Sequence, residues 1–115
     1  MMSLTPSLTP ANANWTGAYV NGAYATAGQA DLYFGIRRVP YSVDFGKDPL
    51  TFQDIQNGTP LPTSAPIAFG EDGSFNAEAH DTGEIWTTML WECYVSLLRR
   101  YPFDEAQARM KRYLV

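Results

Sequence analysis

The chain has 115 residues, 45% of them apolar, with eight Lys or Arg against 12 Asp or Glu and a formal net charge of −4. That length and apolar content suit one small globular domain, or a piece of a larger one, and exclude a disordered chain. The acidic balance, with a pI near 4.7, excludes nucleic acid as a partner because phosphate binding needs a basic face, and no apolar run approaches the roughly 18 residues of a membrane span.

Residues 1–13 are rich in Thr, Pro, Ala and Asn and read as a flexible leader, without the positive and apolar regions of an export signal. From Asn14 to Phe45 the chain is aromatic and dotted with glycines, which leave room for a short helix near Ala23 to Leu32. "LYFGIRRVPYS" has strand-like composition, but Gly35 and Pro40 reduce it to a short or edge segment. Residues 46–76 carry prolines and the breakers "KDP", "NG" and "DG", so most of this stretch is loop. Within it, "PLTFQDIQ" predicts one or two helical turns, opened by Pro49 and capped near Thr51 or Asp54.

The stretch that follows is the clearest. Asp81 and Glu84 form a D-x-x-E capping box, and no breaker interrupts the sequence from Gly83 to Arg100. Ile85, Met89, Cys93 and Leu97 make one apolar row; Trp86, Leu90, Tyr94 and Leu98 make the next. Trp91 and Val95 extend the apolar surface, leaving Thr88, Glu92, Ser96 and Arg99 as a polar strip on a helix that needs cover on most sides. Arg99 and Arg100 suit its C-terminus, Pro102 stops it, and a second helix follows to the last residues, where the missing C-cap reads as a truncation. The fold expected is mainly α: a long buried helix over about 81–100, a second over about 103–114, and an irregular, loop-rich N-terminal half with at most short strands.

Cys93 is the only cysteine, so no intrachain disulfide forms, and its apolar neighbours predict a buried, inert thiol. A Cys–His nucleophilic pair is excluded, because a continuous helix sets Cys93 roughly 20 Å from His80. His80 is the only histidine, and it is either a residue beside a helix cap or one that points into a site. Glu78, Asp81 and Glu84 suggest a carboxylate metal site, although helix capping explains them more simply. Asn14-Trp-Thr and Asn57-Gly-Thr are glycosylation sequons, which mean little without export.

Two blocks, "YFGIRRVPYSVDFGKDPLTFQDI" and, after a loop, "AEAHDTGEIWTTMLWECYVSLL", resemble the fungalysin family of secreted zinc metallopeptidases and, through it, the thermolysin-like group. The family pattern runs I-R-R-x-P-Y-S, then N-P-L-T, then V-H-x-x-G-x-x-W-x-x-M-L. Asp48 stands where that pattern has Asn, and Ala79 where it has Val. The resemblance covers residues 14–115, which it marks as a partial C-terminal helical domain. The family binds zinc through H-E-x-x-H and a further Glu, and a chain with one histidine cannot carry that motif. The resemblance therefore implies a fragment that is inactive by itself: no zinc or other cofactor in this chain, zinc in the intact family, and a peptide or protein substrate there. It implies oxyanion stabilisation for His80 and binding of a substrate carbonyl for Arg37, with Arg38 an equal chemical candidate; Glu78 and Asp81, close by in the sequence, are the expected partners that orient the His80 ring. It also implies a secreted, extracellular protein. The alternative is a non-catalytic helical domain that binds peptide or protein, and the uncovered apolar helix predicts self-association near Trp86 or Trp91.

Overall fold

The computed structural model of the chain describes residues 14–26, 32–69 and 73–115. The leader expected over 1–13 lies outside the described residues, as do residues 27–31 of the helix expected near Ala23 to Leu32; α1 (Ala23–Thr26) forms within that stretch, and Leu32 lies in a turn. The fold is mainly helical, with α2 (Ala79–Arg100) and α3 (Phe103–Tyr113) dominating and a 3-10 helix at Phe52–Ile55. Among the described residues, extended pairing is limited to two isolated bridges, Tyr19 with Tyr41 and Asn21 with Gly35. Gly35 is needed at the second: its φ is +61°, and a Cβ there would collide with the Asn21 carbonyl oxygen.

α2 begins two residues earlier than the sequence predicts. Glu78, in extended conformation (φ −60°, ψ 145°), is the N-cap, and its side chain accepts from the His80 amide. Asp81 and Glu84 are therefore not a capping box; both carboxylates turn to Arg38 instead, at 3.4 and 3.2 Å. At the other end, the Tyr101 amide donates to the Leu97 carbonyl, and Pro102 then breaks the run. α3 carries Asp104 and Glu105 in its first turn and Lys111 and Arg112 in its last, both favourable to its dipole.

The buried face of α2 is Glu84, Ile85, Thr88, Trp91, Tyr94, Val95 and Leu98. Thr88, expected on a polar strip, is inside, and Cys93, expected inside, is exposed. The reason is periodicity. Residues 84, 88, 91, 95 and 98 follow the alternating four-and-three spacing of a single helical seam, and Cys93 projects from the opposite side. α3 packs back onto that seam through Ala106 and Met110, joining Trp91, Tyr94, Val95 and Leu98 in one core.

The N-terminal segment covers the rest of the seam. Trp15 enters the same core, and the Tyr19 ring lies 4.7 Å from that of Trp91. Ser42 Oγ donates to the Gly17 carbonyl (2.8 Å) and Lys47 Nζ to that of Thr16 (2.6 Å), tying this segment to the next loop. A second, smaller core of Val39, Leu50, Leu61 and Ile85 sits under the start of α2. In the loop beside it the expected turn forms as a 3-10 helix capped by Thr51, with Asp54 returning a bond to the Thr51 amide (2.7 Å). None of the helices among the described residues is long and apolar enough to cross a membrane.

Candidate functional site

The start of α2 is held in place by the bend at Arg38–Val39. Arg38 is 2% exposed. Its Nε donates to Glu84 Oε2 (3.2 Å) and its Nη1 to Asn76 Oδ1 (3.1 Å), and the Val39 amide donates to the other Glu84 oxygen (3.0 Å). The Arg38 carbonyl accepts from Ala68 N (2.9 Å), while Asn76 Nδ2 reaches the carbonyls of Gln56 and Thr59. One buried ion pair thus joins the helix start to three loops. Burial pushes the Glu84 carboxyl above the usual carboxylate range, and the Arg38 charge opposes that shift.

A second buried carboxylate lies one turn further along α2. Asp48, 2% exposed, accepts from Thr88 Oγ1 (2.9 Å) and from the Leu50 amide (3.4 Å), with no cationic partner among the described residues. Burial is the main reason that its pKa is raised to about 7; the Thr88 bond opposes the rise, and the Glu84 charge adds to it.

On this base the two residues singled out by sequence stand next to each other. His80 is in the first turn of α2 with its side chain 82% exposed. Glu78 grips it twice, accepting from the main-chain amide and from ring Nδ1, each at 2.8 Å. With Glu78 ionised, Nδ1 is the donor of the second bond, so the Nε2 edge of the ring is turned away from the clamp. The same two bonds hold the Glu78 carboxyl below the usual range. Arg37, the neighbour of the buried Arg38, sends Nη1 to within 3.4 Å of the His80 carbonyl, and its Nε is buried without a partner among the described residues. Arg37 and Arg38 are thus separated by role: Arg38 is locked in the interior, and Arg37 reaches the helix start.

Glu78, Asp81 and Glu84 do not converge. Glu78 holds His80, Asp81 and Glu84 hold Arg38, and among the described residues no three His, Cys, Asp or Glu side chains are grouped to bind a metal ion. Among the described residues, the carboxylates and the one histidine do not fit a zinc site. Sequence reasoning missed Arg38, Asn76 and Asp48 as the scaffold of this region. A signal existed: Glu84 and Thr88 fall in register with Trp91, Val95 and Leu98, which places two polar side chains on the buried seam.

No curated protein and no solved structure gives a significant match to this chain. The fungalysin metallopeptidase family model matches residues 1–113, nearly the whole chain and including the leader segment. The chain therefore belongs to the fungalysin metallopeptidase family.

Proposed function

We propose that this chain forms one wall of the substrate cleft of a fungalysin-type, thermolysin-like secreted zinc endopeptidase, with the zinc-binding wall supplied by other residues of an intact enzyme. The observation that carries this reading is the pairing at the start of α2: an exposed histidine ring with its Nδ1 fixed by Glu78, beside an arginine whose Nη1 reaches the His80 carbonyl. As the imidazolium, with Nδ1–H held by Glu78, His80 donates from Nε2–H to the oxyanion of the tetrahedral intermediate, and the positive end of α2 adds a favourable field for the charge that develops there. Arg37, whose guanidinium presents a fork of donors, bonds a substrate carbonyl beyond the scissile bond. Peptide or protein is the substrate, and the place of action is extracellular.

By itself the chain is inactive, because its one histidine cannot supply H-E-x-x-H. The purified chain is expected to show no hydrolysis of casein or peptides, and chelator-sensitive hydrolysis would contradict this. The positive test is a graft. Residues 14–115 replace the corresponding segment of an active fungalysin; retained chelator-sensitive proteolysis supports the cleft-wall reading, and a folded, zinc-loaded but inactive graft counts against it.

A second reading has its own observation. An open groove of about 260 Å³ runs along α2, lined by Phe45, Leu50, Phe52, Ile85, Met89 and Glu92 among others. A groove of this apolar character suits a non-catalytic domain that binds a peptide or protein segment. Binding of peptides by the isolated chain, unaffected by changes at His80 and Arg37, would favour it.

A further inference from the structure

The two sequons of the sequence meet different surroundings in the fold. Asn57 is exposed at the tip of a turn closed by the Thr59 amide donating to the Gln56 carbonyl (3.2 Å). Gly58 takes the positive φ (+81°) that the turn requires, and a Cβ built there would meet nothing within 4 Å, so the space above the tip is open. The Asn57 amide is used on one side only: Oδ1 accepts from Ala77 N (2.7 Å), while Nδ2 has no partner among the described residues. The turn is also firmly seated, since Asn76 Nδ2 bonds the carbonyls on both sides of it (3.1 and 2.9 Å) and Gly58 N donates to the Gly73 carbonyl (2.9 Å). At the other sequon the middle residue is Trp15, a core side chain, and the Asn14 carbonyl is tied to Arg99 Nε (2.9 Å).

We infer that Asn57 is a site of N-linked glycosylation, taking an oligosaccharide from a lipid-diphosphate donor when the chain passes through a secretory lumen, and that Asn14 stays bare. In the transfer, Nδ2 attacks the anomeric carbon of the donor, forming the N–C bond as the bond from that carbon to the diphosphate oxygen breaks. The lipid diphosphate leaves with the bonding pair, and one amide proton passes to a base of the transferase. The nitrogen used has no partner among the described residues, and the Oδ1 bond to Ala77 survives modification. The sugar then stands on a turn bonded to Ala77, three residues before His80 in the segment that leads into α2.

The full chain, placed behind a cleavable yeast export signal and recovered from both medium and microsomes, tests this by intact mass before and after an endoglycosidase. Reading the microsomal pool as well keeps the result independent of folding or release, because the sugar is added in the lumen. The wild type and an N14Q variant are expected to carry the mass of one core oligosaccharide, removed by the enzyme. T59A, which leaves the Asn57 bond to Ala77 in place, and N57Q are expected to lose it entirely, and T59S to keep it. An unmodified wild type, or an oligosaccharide that persists in T59A or disappears only in N14Q, overturns the inference.

Discussion

Replacing Asp48 by Asn tests the electrostatics beneath the candidate site. Folding raises this carboxyl from its ordinary 3.8 to about 7, chiefly by burial. Because the folded value is the higher one, the native state keeps a proton that the unfolded chain has released throughout that window. The resulting stability is fully present below about pH 4 and is lost as pH rises through 7. At about 1.4 kcal/mol per unit, the full loss is roughly 4 kcal/mol, a large part of what a small domain has in reserve. The amide introduced by D48N would mimic the protonated acid. Its nitrogen donates to Thr88 Oγ1, whose hydroxyl donates in turn to the Glu84 carbonyl, now 3.2 Å away, while its oxygen keeps the Leu50 amide. Urea unfolding followed by tryptophan fluorescence at pH 4, 6 and 8 is the assay. The two proteins are expected to be similar near pH 4, with D48N the more stable by roughly 4 kcal/mol at pH 8. A difference that does not grow with pH, or a D48N protein weaker than wild type at pH 8, would refute the argument. Asn is also the residue that the family pattern carries at this place.

Removing one member of the buried ion pair should be costly. R38M leaves Glu84 without its cation and is expected to lose about 3–5 kcal/mol, whereas R38M/E84Q, which removes the charge but keeps an acceptor for Val39 N, should recover more than half of that in the same urea assay. Self-association is expected through the face of α2 that carries Trp86, which is 57% exposed; Trp91 is in the core and takes no part. W86S should weaken the dimer roughly 30-fold by sedimentation, the scale of one aromatic hot spot, and a clean monomer for the wild type at high micromolar concentration would remove the basis for this.

The parts of this fold that are legible in the sequence are the ones set by local physics. The extent of α2 to Arg100, the proline stop, α3 and the Thr51-capped turn depend on propensity, breakers and caps within a few residues of one another. The N-terminus of α2 is not legible in this way, because two carboxylates at the right spacing look the same whether they cap a helix or hold a distant arginine. The partner of Glu84 lies 46 residues away in the chain, and only the tertiary fold reveals it. Cys93 misleads for a related reason: counting apolar residues favours the row that contains it, but polar Glu84 and Thr88 occupy the true seam with Arg38 and Asp48 as partners. The contact of Arg37 with the His80 carbonyl spans 43 residues; the family pattern singles out each residue but does not pair them, and nothing local connects them.

The proposed action of His80 on the transition state separates kinetically from the proposed binding role of Arg37. In an active fungalysin bearing residues 14–115, His80→Ala is expected to lower kcat by roughly 10²–10³-fold with zinc content unchanged, while Arg37→Ala raises KM as well. Neither change removes the buried Arg38–Glu84 pair, so the start of α2 should stay in place. An unchanged kcat for the histidine variant, with full metal content, would contradict the account and leave His80 as a residue that merely follows a helix cap.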